Sequence, residues 1–238
     1  MNLLAICQAV ADLVGIPRPS AVVGSTEADA RQLLQLANEE GRHLSDRYPW
    51  QALIREASFT TAATESQGTL TTIIGASETF SYILNDTIWN RTRSLPIYGP
   101  NSPQRWQADK ALAMTGPFDQ YPIRGGALRM NPVPTAGHSC YFENVTRTWC
   151  TDSTGATSAP AWAADTDIPI LPDYLFIQGL EWRWKQTKGL EYSQDFVDYE
   201  RLVADAIARD GGKQTAFLGG GGDNYSPGIF VSRGSWDL

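Results

Sequence analysis

Apolar residues recur with helical spacing near the N-terminus. In a predicted helix over residues 2–14 they fall at intervals of three and four and share one face: Leu3, Ile6, Cys7, Val10, Leu13 and Val14. Gly15 and Pro17 end this helix. Thr26 is a suitable N-cap for a second amphipathic helix, which Pro49 ends.

The same spacing returns near the C-terminus. A third helix has Asp173 in its first turn, where an acid suits the helix dipole, and ends near Gly189. A last helix starts at Ser193 and ends at Gly211. Its apolar stripe consists of Phe196, Tyr199, Val203, Ala206 and Ile207.

Between these helices the pattern is typical of β-structure. Alternating or β-branched residues predict strands at residues 51–61, 69–74, 87–92, 121–124, 127–133 and 141–149. Gly125-Gly126 is typical of a hairpin turn. Ser102-Pro103 predicts the start of a short helix that carries Trp106 and Leu112. Residues 151–168, rich in Thr, Ser, Ala and Asp, predict a surface loop.

Together these elements predict an α+β fold, in which a helical bundle is built from the N- and C-terminal helices and a strand-rich lobe is inserted. The predicted limits are 1–50 and 170–212 for the helical bundle, 51–169 for the inserted β-rich domain with its short helix near 102–113, and 213–238 for an extended, flexible C-terminal arm. The arm carries a Gly219–Gly222 hinge and the partner-binding candidates Tyr225, Ile229, Phe230, Arg233 and Trp236.

Composition favours a subunit of an assembly over a free DNA-binding protein. Aromatic residues make up 11% of the chain, with 8 Trp, while charged residues make up only 19%. Trp and Tyr are enriched at protein interfaces. A formal net charge of −7 opposes tight binding of phosphate. No apolar run is long enough to cross a membrane, and the N-terminus lacks the basic start of a signal peptide, so neither is expected.

Candidate reacting groups are few. His43 and His138 are far apart and are interpreted as a surface residue and a turn residue. No Cys-x-x-Cys pair occurs among the three cysteines, which argues for reduced thiols in a cytoplasm and against zinc or a disulfide scaffold: Cys7, Cys140 and Cys150. No catalytic, cofactor-binding or metal site is therefore predicted.

Paired carboxylates leave a glycosidase site open as a minor alternative. Asp165 and Asp167 flank a loop, and acids crowd the start of the last helix. A glycosidase needs two carboxyl groups across a sugar cleft, at roughly 5–10 Å. Acids in loops and at helix starts more often cap backbone groups or face solvent, and we favour that interpretation.

Arginine and aromatic residues are interleaved most densely in the segment 82–107. The candidates there are Trp89, Arg91, Arg93, Tyr98, Arg105 and Trp106. Such a mixture can bind a nucleic-acid strand, but in an acidic chain we favour contacts within the core or between subunits. Trp182 and Trp184 are further candidates for contacts within the core or between subunits. Neighbouring residues on a helix point in different directions. At most one of the two is expected in the core.

Six short motifs, taken in order, resemble one family of proteins. They are Leu-Leu-x-Ile-Cys-x-x-Val-Ala-Asp-x-Val-Gly-Ile-Pro-Arg-Pro, Tyr-Pro-Trp-Gln-Ala-Leu, Asn-Asp-Thr-Ile-Trp-Asn-Arg-Thr, Gly-Pro-x-Ser-Pro-Gln-x-Trp-Gln, Leu-Arg-Met-Asn-Pro-Val-Pro and Leu-Glu-Trp-Arg-Trp-Lys-Gln-x-Lys-Gly-Leu. The chain resembles the head-to-tail adaptor (connector) proteins of tailed bacteriophages, of the tail tubular protein A type of short-tailed phages. The resemblance covers about residues 1–210. Residues 62–80 depart from it, because they lack an expected Leu-Pro before Phe80.

The resemblance implies a structural protein and no enzyme. It implies a homo-oligomeric ring, typically of twelve copies, at the head–tail junction of a virion assembled in the host cytoplasm. The partners it implies are the portal protein, a tail nozzle or other tail protein, in some cases tail fibres, and double-stranded DNA that passes through the lumen without sequence-specific binding. The alternatives that the sequence leaves open are a tail-associated polysaccharide or peptidoglycan hydrolase and a fibre- or glycan-binding module.

Overall fold

The computed structural model describes residues 1–75, 79–112, 116 and 118–211. This part of the chain is a mixture of helices and antiparallel strands, which confirms the predicted α+β class. The helices are α1 (Leu3–Val14), α2 (Ala28–Arg47), α3 (Leu70–Ile74), α4 (Pro103–Ala111), α5 (Asp173–Thr187) and α6 (Ser193–Asp210).

The strands are short except for two. They are β1 (Ile54–Thr60), β2 (Ser66–Thr69), β3 (Phe80–Ile83), β4 (Trp89–Asn90), β5 (Leu95–Pro96), β6 (Ile123–Arg124), β7 (Ala127–Arg129), β8 (Ser139–Thr146), β9 (Cys150–Thr151), β10 (Ser158–Ala159) and β11 (Ile168–Pro169). The largest sheet is built on β8, which pairs with β1 on one side and with β3 and β4 on the other; β5 follows β4. The order of the other two sheets is β2-β7-β6 and β10-β9-β11. The predicted hairpin at Gly125-Gly126 is confirmed as β6–β7.

A first hydrophobic core lies between the four long helices and the chain that follows β8. Helix α5 contacts α1, α2 and α6. Trp149 and Trp162 belong to this core although they lie in the predicted inserted domain. Trp149 packs directly on α2, since a Cβ on Gly41 would lie 2.4 Å from its ring. The core therefore continues across residue 169, the predicted domain limit.

A second core lies in the strand-rich part of the chain. Its fully or almost fully buried members are Leu70, Ile83, Ile88, Ile97, Tyr121, Leu128, Met130, Cys140 and Phe142. On β4 the predicted alternation is confirmed, because Ile88 and Asn90 are buried while Trp89 is half-buried and Arg91 is exposed. The large sheet and the β6–β7 hairpin thus share one apolar interior.

Three local predictions are wrong. Thr26 is not the N-cap of α2; Glu27 takes that position and makes no side-chain capping bond. Residues 70–74 form α3 and not a strand, because the Thr69 hydroxyl accepts the Thr72 N–H (3.3 Å) and starts a helical turn. Residues 151–168 are not simply a surface loop, since they carry strands and the buried Trp162.

Candidate functional site

The segment 82–107 leads from the end of β3 through β4 and β5 into α4. Trp89 and Tyr98 are half-buried there, whereas Trp106 on α4 is only 4% exposed. The Ser102 hydroxyl caps α4 by accepting the Arg105 N–H at 3.2 Å, as the Ser-Pro start predicted. Of the aromatic candidates of this segment, Trp106 is therefore the one that is almost fully buried.

Each arginine candidate of this segment pairs with a carboxylate of the same chain. Arg91 bonds to Glu56 of β1 and stacks over the ring of Tyr141, with its guanidinium carbon 3.6 Å from the ring centre. Arg93 Nη1 lies 3.4 Å from Asp119 Oδ2.

Arg105 Nε lies 3.0 Å from Asp109 Oδ1, one turn further along α4. All three guanidinium groups keep an exposed part, and exposed pairs of this kind contribute little to stability. These arginines therefore brace the fold locally, and the sequence did not identify Tyr141 as the aromatic partner.

A polar cluster lies beside Arg93, at the start of β8. Asn90 is buried, and its side-chain nitrogen lies 3.2 Å from His138 Nδ1. The Asp119 side chain is only 6% exposed. Burial raises the pKa of Asp119, against the opposing effects of Arg93 and His138. No pattern in the sequence singles out Asp119, because it is a single acid between Phe118 and Gln120.

Trp182 and Trp184 are both buried, at 8% and 2% exposure, so the expectation that only one lies in the core is wrong. Helix α5 is covered on several sides, by α1, α2 and α6, and so it buries residues that point in different directions. Trp182 packs edge-to-face on Phe196 of α6, with ring centres 5.1 Å apart. Lys188 Nζ lies 4.4 Å from the ring centre of Trp184.

Between these two tryptophans, Arg183 enters a buried ion pair with α2. Its Nε donates to Glu40 Oε2 at 2.7 Å, and its Nη1 donates to Glu39 at 2.9 Å. Glu40 is fully buried, and the Tyr199 hydroxyl of α6 donates to its other oxygen. A Cβ on Gly179 would lie 2.4 Å from the Glu40 carboxyl group. This centre therefore ties α2, α5 and α6 together.

Glu40 is not among the residues predicted from the sequence, although one signal could have identified it. Glu40 lies next to Gly41 and one helical turn from Ala37 and Leu44, which form the apolar stripe of α2. A charge on the core side of an amphipathic helix requires a buried partner. Arg183, which lies between two tryptophans in the sequence, is the cation that pairs with Glu40.

The paired acids considered for a glycosidase hold the backbone instead. Asp165 accepts the N–H groups of Val22 and Val23, the latter at 2.7 Å. Asp167 accepts those of Ala163 and Ala164, at 2.8 and 2.9 Å. These two carboxylates thus fix a turn and the loop before α2.

The remaining candidate reacting groups are accounted for by burial and exposure. Burial raises the pKa of each buried cysteine thiol to about 12, so these thiols stay protonated near neutral pH: Cys7, Cys140 and Cys150. His43 is exposed, as predicted, and His138 is half-buried. Within the described ranges, no three His, Cys, Asp or Glu side chains are grouped as a metal site would need.

No protein-family model matches the chain, and no curated protein is similar to it at a significant level.

Within the part of the chain that the structure describes, no helix is both long and apolar enough to cross a membrane. The arm candidates Tyr225, Ile229, Phe230, Arg233 and Trp236 lie outside the described residues.

Proposed function

We propose that the chain is a head-to-tail adaptor of a tailed bacteriophage, a structural subunit of a ring that joins the portal to the tail and lets DNA pass. The observation that carries this proposal is the ordered set of six motifs between Leu3 and Leu190, which together resemble that family. The fold that belongs to the proposal is a bundle of α1, α2, α5 and α6 with the strand-rich part inserted as a lobe and the arm extending from α6.

The positions of the motif residues support the proposal. The first motif contains α1, and its apolar face is buried in the first core. The last motif begins in α5 and ends three residues after it. It contains Arg183, whose ion pair with Glu40 ties three helices together. Since these motifs consist of residues that determine packing, a chain that shares them is expected to share the fold.

The net charge and the pairing of the arginines suit a channel through which DNA passes without being bound. The chain is acidic, with a net charge of −7. The arginines of the segment 82–107 pair with Glu56, Asp119 and Asp109 of the same chain. Phosphate binding needs clustered cationic groups that are free to replace counterions. A wall that repels phosphate would let DNA slide through.

Electron microscopy of the purified chain, alone and mixed with the portal protein of the same virus, tests this proposal. We expect closed rings, either alone or on the portal, and a mass in solution that corresponds to a multiple of the chain. A chain that stays monomeric at all concentrations and does not bind the portal would exclude an adaptor.

The hydrolase alternative can be tested on the same sample. Glycan release by the purified chain that disappears in an Asp165→Asn or Asp167→Asn variant, with folding intact, would favour an enzyme. We expect no release, because both carboxylates hold backbone N–H groups.

A further inference from the structure

Strand β1 forms one edge of the large sheet, and no strand of the described structure pairs with its outer side. It is 7 residues long and pairs with β8 in a continuous antiparallel register, from Ile54 opposite Val145 to Thr60 opposite Ser139. It contains no proline and no bulge, two features with which proteins block such an edge. A long, regular edge strand of this kind is a template for a further strand.

The hydrogen bonds at the end of β1 show which of its backbone groups are unpaired. The Thr61 N–H donates to the carbonyl of His138 at 2.8 Å, so in this antiparallel ladder the odd-numbered residues bond to β8. The N–H and C=O groups of Glu56, Ser58 and Thr60 therefore point to the outer side. No described residue bonds to these groups.

This open stretch ends on both sides at backbone groups that are already bonded within the chain. Before it, the outward carbonyl of Ile54 accepts a hydrogen bond from the guanidinium of Arg55 at 2.9 Å. After it, the side chain of Gln67 bonds to both backbone groups of Ala62, at 2.8 and 3.1 Å. Three outward residues remain between these limits, and Ser58 is the middle one.

The apolar face of β1 is incompletely covered at the same place. Ala57 and Phe59 pack against the second core but are only half-buried. Ile73 and Ile74 of α3, which pack on the same core, are also half-buried. A strand added at this edge would cover more of the apolar surface and would also pair the outward backbone groups.

We propose that β1 binds a second copy of this chain, whose own β1 adds to the edge in antiparallel orientation about a two-fold axis at Ser58. In this register Ser58 lies opposite the partner's Ser58, and Glu56 lies opposite the partner's Thr60. Each outward residue then meets an outward residue, which gives about six backbone hydrogen bonds. A shift of one strand by two residues in either direction leaves only two such pairs, so the open groups specify the register.

The side chains of β1 are complementary in the same register. On the core face, Ala57 lies opposite the partner's Phe59, so a small side chain meets a large one. On the solvent face, the two Glu56 carboxylates are about 14 Å apart, beyond the screening length of about 8–10 Å. Each keeps its bond to Arg91 of its own chain. No like charges therefore lie directly opposite each other.

This pair is separate from the proposed ring. A two-fold contact uses the same patch on both copies, whereas the contacts of a closed ring of more copies join two different patches. The pair therefore does not rest on the proposed function, and either can fail without the other.

Sedimentation equilibrium of the purified full chain tests the pair. We expect a reversible monomer–dimer equilibrium. Ser58→Lys should raise its dissociation constant at least tenfold, because it places two like charges directly opposite each other. Ser58→Thr is the matched control and should change the constant by less than about threefold, since Thr suits a strand. A chain that forms no dimer at any concentration, or a Ser58→Lys variant that dimerises as well as the unmodified chain, would overturn the proposal.

Amide hydrogen exchange measured by NMR tests which backbone groups pair. Ala57 and Phe59 should be protected at every protein concentration, since they bond to β8. Ser58 and Thr60 should gain at least tenfold protection as the concentration rises through the dissociation constant. Fast exchange of both at the highest concentration would contradict the pairing. Protection that does not depend on concentration would assign the edge to a segment of the same chain.

A cross-link tests the register, because all three native cysteines are buried. Ser58→Cys should form a disulfide-linked dimer under mild oxidation, since opposite Cα atoms in a hydrogen-bonded pair lie about 5.5 Å apart, within the reach of a disulfide. Thr60→Cys is the matched control on the same face of the strand. Its two thiols would lie about 14 Å apart and should cross-link much more slowly. Equal rates, or a faster reaction at residue 60, would exclude a two-fold axis at Ser58.

Discussion

Single glycines determine how closely the helices of the first core approach one another. Gly179 of α5 faces Glu40 of α2 so closely that any Cβ would lie within 2.4 Å of the carboxyl carbon. A flexible side chain could move aside, but Arg183 and Tyr199 hold both oxygens of Glu40 in a fully buried position. The ion pair and the glycine therefore depend on each other.

We predict that Gly179→Ala lowers the free energy of unfolding by about 2–3 kcal/mol, as overpacking in a core does. Urea unfolding followed by Trp fluorescence measures it. Gly116→Ala is the matched control, since nothing lies within 4 Å of a Cβ at that exposed glycine, and it should change stability by less than about 0.5 kcal/mol. Equal stability of the two variants would show that Glu40 is free to move.

The environment of Asp119 leads us to predict that the stability of the fold depends on pH with a definite sign. Burial raises the pKa of this carboxyl group in the folded chain above its unfolded value. The folded state therefore binds the proton of Asp119 more tightly than the unfolded state does. The stability that this proton contributes is fully present below the usual carboxyl pKa, about 4, and is lost as the pH rises through the raised pKa. Asp119→Asn removes this loss.

Unfolding curves at several pH values from about 3.5 to 7 check this prediction. The stability of Asp119→Asn relative to the unmodified chain should increase with pH. Asp152 serves as a control of opposite sign, because hydrogen bonds, chiefly from Thr154, lower the pKa of that exposed carboxyl group. Parallel curves for Asp119→Asn and the unmodified chain would refute the assignment.

At the scale of elements, the turn at residues 162–167 connects parts that are distant in sequence. The carbonyls of Asp165 and Asp167 accept the N–H groups of Leu4 and Leu3, the first free donors of α1. The Asp165 carboxylate meanwhile accepts N–H groups from the loop that leads to α2. One turn thus fixes both the start of α1 and the entry to α2.

Replacing Asp165 by Ala should cost about 1.5–3 kcal/mol, because it leaves the N–H groups of Val22 and Val23 without their charged acceptor. Amide exchange at these two residues should accelerate more than the overall loss of stability explains. The matched control is Asp152→Ala, whose carboxylate caps only its own exposed turn. Unchanged amide exchange at Val22 would show that the hydrogen bonds to the Asp165 carboxylate do not stabilise this loop.

The sequence predicted α1, α2, α4, α5 and α6 because their spacing, Ser-Pro start and glycine ends are local signals. It could not predict α3, since Leu-Thr-Thr-Ile-Ile has the β-branched composition of a strand. That turn is helical because Thr69 caps it and Leu70 is buried in the second core. Tertiary contacts override local preference there.

For the candidate site, the sequence located the arginines and tryptophans but not their partners. Glu40, Asp119 and Tyr141 come from separate parts of the chain, and only the fold brings them to Arg183, Arg93 and Arg91. Sequence spacing reports neighbours on one element and carries no information on such long-range pairs.

At the scale of the whole molecule, two cores meet where β8 passes into the chain that carries Trp149. Val145 of β8 belongs to the first core, while Phe142 on the same strand belongs to the second. Strand β8 is therefore shared by the two cores. If the proposed ring forms, this shared strand would transmit displacement of one part to the other, since packed interiors are stiff.

The last prediction concerns the arm. Among the described residues, the members of both cores end at Ile207, so we expect a chain that lacks residues 219–238 to unfold at the same temperature as the full chain, within about 1 °C. Binding to the partner ring should weaken at least tenfold, since the aromatic residues proposed to bind the partner are gone. A full-length variant with Phe230→Ser and Trp236→Ser separates the loss of these side chains from the loss of chain length. Normal docking of both forms, measured by co-sedimentation with the portal or tail, would show that the arm is not the docking element.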